Sequence, residues 1–173
     1  MACNSITNFT YDRCEPNLGG VKKVWLANYV EGAASVDSAS GDTENMVTGF
    51  TSGTTWIEFP MRKNVASMTS NLQVADEGGN YVQTDLAMVF SRMDTDKRMA
   101  MVALAQGEAM AIVKDANNRY WFLGHDNPVT VSAGTGETGT AKSDPNHYTV
   151  TLTDESTEYP YEIAPSAAPD YSA

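Results

Sequence analysis

Hydrophobic and polar positions alternate along much of the chain, and the period changes clearly only once. Over residues 80–92, Val82, Leu86, Met88 and Phe90 share one parity while Tyr81, Gln83 and Asp85 take the other, the pattern of a strand with one buried face. Residues 95–106 switch to helical spacing, with Met99, Val102 and Ala105 on one stripe and Met101 and Leu104 beside it. Asp94 stands where a side chain accepts from the free amides of a first turn, and Asp96 suits the positive end of the helix dipole. Gly107 is expected to end the helix in a left-handed conformation. Such a helix is about 18 Å long, enough to cover one face or one mouth of a small sheet. Residues 108–114 are apolar on both parities, predicting a strand buried on both sides. The segment 115–119 (DANNR) is a reverse turn that returns the chain through 120–124 as the hairpin partner.

Around this centre the remaining segments read as further strands. Residues 21–29 (VKKVWLANY) put Trp25 and Leu26 on opposite faces, so both faces need cover. Residues 30–53 are dominated by small and polar side chains, with Met46, Val47 and Phe50 as the apolar hooks, and are expected to form a long loop, either functional or a loose excursion. Residues 54–60 and 66–74 are expected to pair as a meander, with 76–79 as the turn into the centre. After Gly124 come strands at 128–132, 148–153 and 159–163, the first two separated by a glycine-rich loop. The expected fold is mainly β: a barrel or sandwich with one short helix, a long loop at 30–53 and extended terminal arms. In domain terms this is an arm at 1–18, one β-rich domain at 19–163 and a flexible tail at 164–173.

Composition narrows the function. A chain of 173 residues can bury a core without a metal or disulfide staple, so stability demands no cofactor. With 22 acidic and 11 basic residues the formal net charge is -11, which disfavours binding nucleic acid through phosphate neutralisation. From Trp121 onward the acids are Asp126, Glu137, Asp144, Asp154, Glu155, Glu158, Glu162 and Asp170, against Lys142 alone. No apolar run is long enough to span a membrane, and the N-terminus lacks the features of a signal peptide. Cys3 and Cys14, in a polar arm, are expected to be free thiols rather than a disulfide.

The candidate chemistry is sparse. Residues 134–139 (GTGETG) match the dinucleotide fingerprint literally, but the following TAKSDP cannot open the helix that a pyrophosphate needs, so no nucleotide is expected. His125 and His147 read as surface histidines, and the cysteines lie far from both in sequence. No nucleophile elbow, triad order or carboxylate pair stands out, and Asp154 and Glu155, adjacent on a strand, point to opposite faces. An enzyme is therefore not expected. The methionines on the core parity read as gap-fillers.

Three stretches carry a resemblance. The Met-Ala-Cys-Asn start, Cys14 and residues 17–27 (NLGGVKKVWLA) look like the opening of tail-tube-type or ring structural proteins from tailed phages of gut Bacteroidetes, including the crAss-like phages. Residues 113–124 are similar to that family's Asp, Asn, Gly, aromatic, Leu-Gly hairpin, with Asn118 where glycine is usual, and 138–152 resemble its closing strand, with His147 in place of glycine. The resemblance implies a virion protein made in the host cytoplasm and placed in the tail or portal-vertex assembly. It implies a sixfold or twelvefold homo-oligomeric ring that joins adjacent tail, portal or hub proteins and through which DNA passes without specific binding. No membrane and no cofactor enter that picture. An acidic conduit repels phosphate, and the candidates for its lumen or interfaces are Glu137, Asp144, Asp154, Glu155 and Glu158. The alternative is a monomeric β-sandwich binding module of a virion that docks carbohydrate or protein through Trp56, Trp121 and the tyrosines.

Overall fold

The computed structural model describes residues 17–38, 45–74 and 78–170. Most of the N-terminal arm, with Cys3 and Cys14, therefore lies outside the described residues.

Among the described residues, eleven strands form two sheets that are not closed into a barrel, so of the two expected architectures the sandwich fits. The larger sheet has seven strands in the order β2-β3-β11-β8-β7-β1-β4 and the smaller has four, β5-β6-β10-β9. In the larger sheet, β1 (Val21–Asn28) pairs with β7 (Ala109–Asp115), which pairs with β8 (Tyr120–Leu123) as the expected hairpin. The turn is organised by Asp115, whose Oδ1 accepts from the amides of Asn117 and Arg119 at 2.8 and 2.9 Å and whose Oδ2 accepts from Trp121 Nε1 at 3.1 Å. Asn118 takes the left-handed conformation, φ 64°, that glycine would supply.

Both faces of β1 and β7 are covered, as their double apolar parity requires. Val24, Leu26, Ala111, Val113 and Leu123 meet Leu86, Met88, Val150 and Leu152 of the smaller sheet. Trp25, Met110, Ile112 and Phe122 face the other way, under Ala33, Val47, Ile163 and Ala168. That second cover corrects two expectations. The segment at 30–53 is not a plain loop: β2 (Ala34–Val36) and β3 (Val47–Phe50) pair antiparallel, and Val47 also pairs parallel with Ile163 of β11 (Tyr161–Ile163). The stretch expected as a flexible tail packs through a 3-10 turn at Pro165–Ala167, with Ala164 and Ala168 buried. Asp170 accepts from Tyr120 Oη at 2.7 Å and lies 3.0 Å from Lys114 Nζ.

The expected meander is also corrected. β4 (Ile57–Glu58) pairs with β1 in the larger sheet, whereas β5 (Ala66–Gln73) pairs with β6 (Tyr81–Ser91) in the smaller one. β10 (His147–Ser156) follows β6 across the smaller sheet, and β9 (Thr130–Glu137) closes its other side. β9 takes in glycines expected in a loop. α1 (Thr95–Gln106) joins β6 to β7 and lies against β9, with no residue fully buried and with Met101 and Leu104 packing on the core; its N-cap Asp94 accepts from the Lys97 amide at 2.9 Å. Gly107 is not left-handed (φ −109°): the chain leaves the helix extended, and an added Cβ would sit 3.0 Å from the Ala103 carbonyl.

Candidate functional site: the uncovered face of the smaller sheet

In β6 and β10 the residues of one parity are buried between the sheets. Those of the other parity belong to neither buried cluster. The register places them in rows across the sheet: Thr69, Asp85, Thr153 and Thr130; Ser67, Ala87, Thr151 and Ala133; Val89, Thr149 and Thr135; Ser91, His147 and Glu137. The face is thus made mostly of small hydroxyl and methyl groups. Its acids are Asp85, Glu137 and Glu155, the last opposite Gln83. None of the four strands contains a lysine or arginine. Asp85 is held by its neighbours, accepting from Thr153 Oγ1 at 2.7 Å and from Gln83 Nε2 at 3.2 and 3.3 Å.

Among the described residues, no further strand pairs with either edge of this sheet. β5 and β9 are its outermost strands, eight residues each, and Glu137 is the only charged side chain in either. Natural edges of that length are normally protected by charge, proline or cover, because their free N–H and C=O groups template further pairing. β5, β6, β10 and β9 are successively antiparallel, so the two edges run in opposite directions.

The acids singled out from sequence fall into different environments. Glu137 and Glu155 lie on the open face, which also holds Asp85, a residue that the strand parity of 80–92 already marked as facing away from the core. Asp144 closes the β9–β10 hairpin: its Oδ2 accepts from the amides of Thr140 and Ala141 at 2.9 and 2.7 Å, bonds that hold its carboxyl below the usual range. Glu158 accepts from Tyr161 Oη at 2.8 Å, and burial and then this bond raise the tyrosine to about 12. Asp154 corrects the lumen reading. It is 2% exposed, faces the space between the sheets opposite Thr84, and has no hydrogen-bond partner on Oδ1 among the described residues. Burial pushes it up to about 6; the Asp126 charge adds to the rise, while the Gly124 amide and the Ser156 hydroxyl oppose it.

The fingerprint glycines have a packing role. Gly134 and Gly136 face Val150 and Tyr148 in the register, on the side of β9 next to α1. A Cβ on Gly136 would lie 2.7 Å from the Tyr148 ring. Nor are the histidines plain surface groups: His125 is half-buried, 2.8 Å from Asp126 Oδ1 and 4.7 Å from the Tyr161 ring, and His147 encloses its Nδ1. Trp56 meets Phe50 and Phe122 edge to face at 5.1 and 6.5 Å, and Trp121 donates its Nε1 to Asp115; both tryptophans are half-buried. Among the described residues no group of His, Cys, Asp or Glu is arranged to hold a metal ion, and no helix is long and apolar enough to cross a membrane. No family model, curated protein or solved structure matches the chain.

Proposed function

We propose that the protein is a virion structural protein, a ring or tube subunit of a bacteriophage tail that forms part of the DNA ejection conduit and joins neighbouring tail components. The observation that carries this reading is the smaller sheet: a face without a lysine or arginine in its strands, bounded by two edge strands of opposite direction. Copies related by rotation about an axis roughly along the strands keep their direction, so β9 of one copy meets β5 of the next as an antiparallel pair. Such a contact is heterologous and closes into a ring when the rotation fits. The joined sheets then present a wall of threonine, serine and carboxylate, which offers phosphate no counter-charge and leaves DNA free to slide. The central strands of the larger sheet, β1, β7 and β8, are buried on both faces and stiffen the outside.

The test is particle mass by native mass spectrometry, for the unaltered chain and for one carrying Thr69→Lys and Thr135→Lys at the two edges. The unaltered chain is expected at six or twelve copies, and the edge variant as a monomer with unchanged thermal stability. An unaltered chain that stays monomeric at high concentration, or an edge variant that still forms the same particle, contradicts the reading.

A further inference from the structure

The charges are sorted along the strand direction. At the end where β5 begins and β6 finishes lie Arg62, Lys63, Arg92, Lys97, Arg98 and Lys142. Of the acids at this end, Asp94 is paired with Lys97 and Asp144 is bonded within its own hairpin, while Asp96 and Glu137 also lie here, so that six cations face four acids. Arg62, Lys63, Arg92 and Lys142 have no carboxylate partner among the described residues, and Arg62, Arg92 and Lys97 border one hollow with Pro60 and Met61. The remaining described cations are Lys22, Lys23, Lys114 and Arg119. They lie at one end of β1 and β7, where Glu58, Asp170 and Glu162 pair with the last three.

The opposite end holds no described cation. There Glu31, Glu108, Asp126 and Asp154 act together to raise Tyr29, after burial, and Glu155 and Glu158 follow on the same strand end. The Asp154 carboxylate beneath this surface is unpartnered on one oxygen. Apolar side chains are exposed among these acids: Val30, Leu72, Val74, Tyr81 and Tyr159, at 40% to 70%. The α1 dipole reinforces the sorting, because its positive N-terminus lies at the cationic end and its C-terminus leads into Glu108.

We propose that a second copy of this chain docks head to tail along the strand direction, the Arg62–Arg92 end of one copy seated on the Glu31–Glu158 end of the next. This rests on the ring reading above, to which it adds the polarity and the residues of the ring-to-ring contact. Opposite charges orient the two ends and penalise a head-to-head arrangement, while the exposed apolar side chains supply the area that is removed from water.

The experiment is charge reversal read by sedimentation and negative-stain imaging. Arg62→Glu with Arg92→Glu, and separately Glu31→Lys with Glu158→Lys, are expected to leave single rings intact and to raise the concentration needed for stacking by about tenfold or more; all four changes together restore stacking. Raising salt from about 0.1 to 1 M shortens the screening length from about 10 to 3 Å and is expected to unstack the unaltered rings. Rings that stack equally well with either end reversed, or that fail to stack again in the fourfold variant, overturn this proposal and leave the ring reading standing. Open filaments without rings that still respond to reversal keep the head-to-tail contact and remove the ring.

Discussion

Asp154 sits with its carboxylate between the sheets while Thr153 and Glu155, its neighbours along β10, face outward. Keeping a charge there is costly, and its raised pKa of about 6 sets the sign of a pH effect. The folded state binds the proton more tightly than the unfolded chain, so the folded state is favoured at low pH and loses that advantage as pH rises from about 4 to 6. Asp154→Asn removes the charge; it is expected to stabilise the protein by about 2 kcal/mol at pH 8, a gain that fades towards pH 4. Urea unfolding of both proteins across that range checks it, and an equal difference at both pH values contradicts it. The burial was legible in sequence, since Asp154 shares parity with Val150 and Leu152. Its cost was not, because a buried carboxylate breaks the pattern that strand reading relies on, whereas Asp94 as a helix cap follows that pattern and was placed correctly.

At the scale of elements, α1 and the β6, β7 and β8 strands were legible in the sequence, but the stripe of α1 was not: Met99 and Val102 are exposed, and Met101 and Leu104 beside them pack against the core. β9 emerged only in part: residues 128–132 read as a strand, whereas its glycine-rich remainder, 133–137, reads as a loop. Pairing with β10 makes it a strand, and a register shift between Thr151 and Leu152 accommodates the extra residue Ser132. The glycines then let the edge lie close to Tyr148. Gly136→Ala would bring a methyl to 2.7 and 2.9 Å from that ring. It is expected to cost about 1 to 2 kcal/mol, the range for overpacking, and amide exchange should show the loss concentrated in β9 and α1. Uniform or unmeasurable loss would count against this role for the glycine. β2 and β3 were hidden for a related reason: they are held by pairing with each other and, through Val47 alone, with Ile163 of β11, not by local alternation. Residues 30–53 are consequently part of the larger sheet's cover, and removing them disturbs the fold itself.

At the scale of the whole molecule, the central strands of the larger sheet are covered on both faces and those of the smaller sheet on one. The asymmetry follows from composition: β1, β7 and β8 are apolar on both parities, while β5, β6, β9 and β10 spend their outward parity on threonine, serine and acid. The net charge of -11 was visible at once, but its sorting into a cation-free face, an acidic end and a cationic end required the register. The proposed conduit depends on where that face points. Electron cryo-microscopy of the assembled particle measures this directly: the account predicts a closed ring whose bore is walled by β5, β6, β10 and β9, with Asp85, Glu137 and Glu155 towards the hole. A solitary particle, or a ring whose bore is lined by Lys22, Lys23 and Lys114 of the other sheet, would contradict it.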